Sequence, residues 1–252
     1  MRGLYNASGS MLVNQVRLEN ISNNLSNLNT PGFKRSETLV RSFPDVLLYC
    51  IEKNQEGGGA FSPVGRLAQN VAVEETPFIQ SDGALKLTGR QLDLALQGPG
   101  FFAVDTPRGV RYTRDGHFGV NAEGVLINSG GYPVLGETGP LVLQNDRPEV
   151  DRRGNVYENR EIVGRLQLLE FPEEELLWKE GNNLFQAPVD VNPYFSESTV
   201  VFQGYLEESN ADLARQMTDL IKVRRSYEAS QKIAQVYDRL LSRAANELGS
   251  LR

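Results

Sequence analysis

Residues 211–248 read ADLARQMTDLIKVRRSYEASQKIAQVYDRLLSRAANEL, a long run with neither proline nor glycine. Apolar side chains return every seven residues along it, at Leu213, Leu220, Tyr227, Ala234, Leu241 and Leu248, flanked by Val223, Tyr237 and Ala244. That period predicts one long amphipathic helix. Residues 3–28, GLYNASGSMLVNQVRLENISNNLSNL, carry the same device at Leu4, Met11, Leu18 and Leu25, flanked by Ala7, Ile21 and Leu28. A sustained stripe of this kind seeks another helix and not a small ligand. Ser209-Asn210-Ala211-Asp212 opens the C-terminal helix, with serine as a capping side chain and Asp212 three residues later. Thr30-Pro31-Gly32 closes the N-terminal one, since proline disfavours helix before it and glycine permits a sharp turn.

Between the helices the period changes to two. Leu92, Leu94 and Leu96 alternate with Asp93 and Ala95, and short runs follow at 101–104, 110–113, 125–127, 141–143 and 162–169. Asp115-Gly116, Glu123-Gly124, Gly130-Gly131 and Arg153-Gly154-Asn155 punctuate them as turns. No strand alternates with a helix, so the middle reads as an all-β sandwich or barrel. The expected fold is α+β: terminal helices pair as a coiled-coil or bundle domain around an inserted all-β domain. The expected divisions are a discontinuous helical domain of residues 1–35 plus 205–252, an extended linker over 36–65, and a β-rich domain over 66–204. The linker holds an apolar cluster around Phe43 to Ile51 and a hinge at Gly57-Gly58-Gly59.

Composition narrows the chemistry. The 252 residues suffice for one large or two modest domains, and the apolar runs fall well short of the roughly 20 residues of a membrane span. Polar residues at Asn6, Ser8, Ser10 and Asn14 interrupt the N-terminus, which lacks the layout of a cleaved signal peptide. A single cysteine, Cys50, excludes an intramolecular disulfide framework, and a single histidine, His117, excludes a multi-histidine metal centre. Net charge is −6, yet residues 1–35 and 211–252 each sum to +3, which leaves −12 on the middle. An insert that acidic repels nucleic acid, and the basic side chains at the ends serve as solvated helix backs.

The sixteen residues from Asn20, NISNNLSNLNTPGFKR, resemble the N-terminal signature of bacterial flagellar axial proteins: the rod, hook and hook-associated subunits. LTGRQLDLALQGPGFFAV from Leu87 and YTRDGHF from Tyr112 resemble that family's central β motifs. Glu208-Ser209-Asn210 and RRSYEA from Arg224 are similar to its C-terminal signature. The resemblance spans nearly the whole chain and is nearest to the basal-body rod proteins of distal-rod type. It implies helices that form an inner tube, a β domain that faces outward, and passage through the flagellar type III export apparatus. The partners it implies are copies of the chain itself and other rod and hook subunits.

The expected function is therefore a structural subunit of the flagellar basal-body rod. It polymerises helically through its terminal helices into the axial drive shaft and transmits torque in the cell envelope. The assembly interface is assigned to Leu4, Met11, Leu18, Asn24, Leu25, Asn27, Leu213, Leu220, Tyr227, Leu241 and Leu248. Asn20, Asn24 and Asn27 share a helix face and read either as capping before Pro31 or as hydrogen-bonding groups that fix register between subunits. No catalytic, cofactor, metal, nucleic-acid or small-molecule site is expected. Two alternatives stand beside this reading: a hook subunit, and an enzyme that cuts peptidoglycan. The short insert favours rod over hook. An enzyme needs a convergent acid pair or nucleophile. His117 after Asp115-Gly116 is explained by a hairpin turn, Glu173-Glu174-Glu175 by a solvated acidic loop, Gly98-Pro99-Gly100 by a β turn, and Cys50 by apolar filling.

Overall fold

A computed structural model describes residues 2–42, 46–53, 59–67, 71–144, 147–172, 177–188, 191–196 and 198–249. The fold is α+β, with helices at both ends and a β-rich middle. Helix α1 spans Arg2–Ser26 and helix α2 spans Leu213–Gly249. At about 1.5 Å per residue, α2 is roughly 55 Å long. Its first helical residue directly follows Asp212, so the cap position belongs to Asp212. Ser209, the expected cap, instead accepts a hydrogen bond from the Ala211 amide at 3.3 Å and shapes the approach.

The chain divides into two compact units, residues 1–23, 36–77 and 213–252 in one and residues 24–35 and 78–212 in the other. In the first unit the helices run antiparallel in register. Gly3 meets Tyr237, the Ser10 and Ser230 hydroxyls lie 3.1 Å apart, and Asn14 Nδ2 donates to Ser226 Oγ at 3.0 Å. Each step forward on α1 is an equal step back on α2. The same unit holds a two-stranded antiparallel ribbon. Leu39–Ser42 pairs with Val71–Glu75, and Val46–Lys53 pairs with Gly59–Leu67, from Val46 opposite Leu67 to Lys53 opposite Gly59. Within the stretch read as an extended linker, the described residues 39–42, 46–53 and 59–65 lie in paired strands. Gly59 opens a strand, while Gly57 and Gly58 lie outside the described residues, as does the side chain of Cys50.

The second unit is built on a six-stranded antiparallel sheet. Its order is Trp178–Gly181, Leu184–Gln186, Gly109–Thr113, Phe101–Thr106, Leu168–Glu170 and Tyr194–Phe195. Phe101–Thr106 is buried on both faces, which its unbroken apolar start dictates. Phe102 and Val104 enter a core with Leu96, Phe118, Val134 and Leu166, and Phe102 meets the Phe118 ring edge-on at 5.0 Å. Phe101 and Ala103 point the other way, toward Tyr112, Phe171 and Phe185. Residues 200–207 return beside earlier strands: Val200–Gln203 pairs with Leu94–Gln97, and Tyr205–Glu207 with Leu85–Leu87. The expected turns at Gly124, Gly131 and Gly154 have positive φ, as tight turns demand.

Candidate assembly interface

On α2 the positions that are not exposed are Gln216, Asp219, Leu220, Val223, Tyr227, Ser230 and Ala234, and all but Asp219 are spaced alternately by four and three. This seam keeps Leu220, Tyr227 and Ala234 of the sequence stripe and interleaves polar Gln216 and Ser230. The ends of the stripe behave differently. Leu213 is 43% exposed and Leu241 44%. Met217, Ile221, Ile233, Val236 and Leu240 are also exposed, so an apolar surface follows α2 for much of its length. The side chain of Leu248 lies outside the described residues. On α1, Leu4, Met11, Leu18 and Leu25 are half-buried, whereas Tyr5 and Leu12 are exposed.

Small and polar side chains join the two helices. A Cβ on Gly3 would lie 2.2 Å from Tyr237 Oη, so glycine there admits the tyrosine. Asn14 is buried and its amide reaches Ser226. Ser226 and Ser230 lie off the apolar period, and Asn14 counts in the sequence only as a polar interruption of the N-terminus, so the period assigns none of them to the interface. Their signal is spacing: Ser10 and Asn14 on one helix, Ser226 and Ser230 on the other, each pair four apart. Of the three amides read as one face, Asn20 donates to Thr38 Oγ1 at 2.9 Å. Asn27 accepts from Thr30 Oγ1 at 3.2 Å, within the turn that ends α1. Asn24 is buried.

The segments that leave α1 and approach α2 meet in the second unit. Gly32 donates its amide to the Glu207 carbonyl at 2.8 Å, and Asn210 donates its amide to the Phe33 carbonyl at 3.3 Å. The Asn210 side chain accepts from the Arg35 amide at 2.6 Å and donates to the Ile79 and Ser81 carbonyls at 2.7 and 3.0 Å. Gly32 has φ +64°, and a Cβ on it would lie 2.3 Å from the Arg114 carbonyl carbon. Backbone conformation and close approach both require glycine there.

Beneath these bonds lies a buried ion cluster. Lys34 Nζ stands 2.5 Å from Glu207 Oε1, and Arg114 Nη1 stands 3.7 Å from Glu207 Oε2. All three side chains are 1% exposed. Glu207 Oε1 also accepts from the Gly83 amide at 2.9 Å. Half-exposed Asp82 lies 3.8 Å from Lys34 and 3.7 Å from Arg114. The Arg114 guanidinium stacks over Phe101, 4.8 Å from the ring centroid. Burial pushes the Lys34 ammonium below its ordinary value, against the pull of Glu207 and with the repulsion of Arg114. Nearby, Lys179 donates to the Lys34 carbonyl and places its ammonium 4.3 Å above the Phe33 ring. Burial brings its pKa down to about 8.

His117 is not on a hairpin turn. Gly116 runs against Leu94, whose amide donates to the Gly116 carbonyl at 3.0 Å, and His117 Nδ1 lies 3.0 Å from Asp93 Oδ1. Arg90 Nη1 is 3.3 and 3.1 Å from the two ring nitrogens, and so lies over the imidazole. Asp115 caps this stretch, accepting from the His117 amide and the Ser129 hydroxyl, while burial raises its pKa. The arrangement ties Asp93 and His117 together as packing partners. Glu173, Glu174 and Glu175 lie outside the described residues. Among the described residues no group of three or more acidic, histidine or cysteine side chains is placed to hold a metal ion, and no helix is long and apolar enough to cross a membrane.

Three family descriptions match in chain order. Residues 4–34 match flagella basal body rod protein, 95–158 the flagellar hook protein FlgE/F/G D1 domain, and 203–248 the flagellar basal body rod FlgEFG protein C-terminal. The chain is 32% identical to the flagellar basal-body rod protein FlgF of Caulobacter vibrioides, over 98% of both chains. It is 31% identical to the flagellar basal-body rod protein FlgG of Buchnera aphidicola, over 91% of this chain and 93% of that one. It is 30% identical to the flagellar hook-basal body complex protein FlhO of Bacillus subtilis, over the full length of each.

Proposed function

The chain belongs to the flagellar basal-body rod protein family, and from that premise we propose that it builds the rod by helical polymerisation through its two terminal helices. It is a structural rod subunit. The observation that carries the mode of assembly is the apolar surface on α2: Leu213, Ile221 and Leu240 stand 43%, 53% and 56% exposed in the single chain. Past Tyr237, the α2 position opposite Gly3, α2 continues for about three turns with Leu240 and Leu241 uncovered. A stripe of that length is what neighbouring copies and other rod or hook subunits would cover. Contacts that repeat head to tail without closing make a helical tube. In this reading the helices form the inner wall as a coiled-coil bundle, the β unit faces outward, and the shaft transmits torque. Export proceeds through the flagellar type III apparatus.

The chain is assigned no enzymatic role. The family is structural, and the Asp93–His117 contact serves packing. Basal bodies from a deletion strain, imaged by cryo-electron microscopy, test the assignment. Rods that are missing or cut short, and restored by the full chain, are the expected result. Rods of normal length in the deletion strain would overturn it.

A further inference from the structure

Three sequence segments far apart in the chain converge on one buried carboxylate. Glu207 comes from the strand before α2, Lys34 from the segment after α1, and Arg114 from the end of Gly109–Thr113. Lys34 and Glu207 are 173 residues apart in sequence. Two cations meet one fully buried anion, with Asp82 at the rim. A buried ion pair contributes little net stability, because desolvation offsets its attraction. What it supplies is geometry: each charge is tolerated only when the others are in place. The backbone bonds Gly32 to Glu207 and Asn210 to Phe33 lie directly beside it, so the same cluster fixes the two chain segments from which the helices depart.

We propose that Lys34, Arg114 and Glu207 form a charge-locked clasp that holds the roots of α1 and α2 at one spacing, making them positioning residues for assembly. The proposal rests on the reading that the helices build the rod. Without the clasp the helices, still joined farther along at Asn14–Ser226 and Ser10–Ser230, splay at their roots. With it, every exported copy offers the end of α1 and the start of α2 to the growing rod at the same spacing. The half-exposed Asp82 completes the charge balance without being needed for the spacing.

The test measures spacing and assembly separately. Spin labels at Ser22 and Arg215, in full-length protein with Cys50→Ser, report the distance between the helix roots in the dilute monomer. The unmodified cluster should give a narrow distribution. Glu207→Gln keeps the side chain's shape and should broaden it about twofold or more, at temperatures where near-ultraviolet circular dichroism of the packed Phe and Tyr rings shows the sheet still folded. Lys34→Met should act likewise, and carries the test if Glu207→Gln does not fold. Val156→Ala is the control: Val156 is a buried core residue of the same unit, and its truncation should lower the melting point and leave the distribution narrow. A narrow distribution in a folded Glu207→Gln or Lys34→Met protein overturns the clasp, and so does equal broadening in Val156→Ala. Rod formation in complemented cells is scored in parallel. Broadened roots with normal rods would overturn the positioning role alone. Loss of rods with narrow roots would overturn the clasp and leave the assembly reading standing.

Discussion

At Gly116 the backbone passes so close to Leu94 that a Cβ would lie 1.5 Å from the Leu94 carbonyl oxygen. Gly131 is glycine for a different reason: nothing lies within 4 Å of its Cβ position, but φ is +80°. The two substitutions should therefore separate. Gly116→Ala should cost about 3 kcal/mol and Gly131→Ala about 1 kcal/mol, measured by urea unfolding. Equal costs would remove the close-approach argument. Lys179 makes a second prediction at this scale. Its amine titrates at about 8 in the native state, below the ordinary 10.5, because burial disfavours its charge. Between those values the unfolded chain binds a proton that the native chain does not. Stability should therefore rise with pH from about 8 toward 9.5, and Lys179→Met should flatten that rise. Urea midpoints across that interval that stay level or fall in the unmodified protein would contradict the burial of the amine. Single residues were the least legible scale. Lys34 and Glu207 stand within or beside recognisable motifs, yet nothing local links positions 173 apart. His117 looked like a turn residue because Asp-Gly precedes it, and its partner Asp93 lies on a different segment.

Elements were easier to read where one period runs long. α2 has over ten turns without a breaker, and its bounds in the structure fall within two residues of the sequence expectation. The strand Phe101–Thr106 was legible from its apolar run, but its place near the middle of a six-stranded sheet was not. Pairing order depends on long-range packing that no local pattern encodes. The strands Leu39–Ser42, Val46–Lys53 and most of Gly59–Leu67 fall in the stretch read as linker, because proline and glycine interrupt it and Leu39–Ser42 finds its partner, Val71–Glu75, some thirty residues on. The α2 stripe allows a prediction that the sequence alone would have blurred. Leu241 is exposed and Leu220 lies in the seam with Gln216 and Val223. Leu241→Asp should leave monomer melting unchanged within about 0.5 kcal/mol and abolish rod assembly. Leu220→Asp should abolish assembly and also lower α2 helicity, since a carboxylate placed in a seam pays desolvation. Circular dichroism and motility in complemented cells report both. Normal motility with Leu241→Asp would sink the inner-tube assignment of α2.

At the scale of the whole molecule, the two function classes divide on whether any side chain is chemically required. A rod subunit works through surfaces, and its polar groups serve packing and register. A wall-cutting enzyme must place an acid, base or nucleophile on its substrate. His117→Ala removes a hydrogen-bond partner from Asp93, which is 1% exposed and keeps Arg90 at 3.6 Å. The change should cost about 1–2 kcal/mol of stability, seen in melting, because a buried carboxylate loses one bond. It should leave motility nearly intact at growth temperatures well below that melting point. The triple change of Glu173, Glu174 and Glu175 to Gln should likewise preserve motility. If either site were an acid or base, its removal would lower a reaction rate about 100-fold or more. Complementing a deletion strain with each variant, while assaying purified protein on peptidoglycan, separates the cases. Wall-cutting activity that disappears with either variant would overturn the structural assignment even with the family membership intact. Motile cells carrying both changes, alongside immotile cells carrying Leu241→Asp, would place the function in the helix surface and leave the acid and histidine groups to folding.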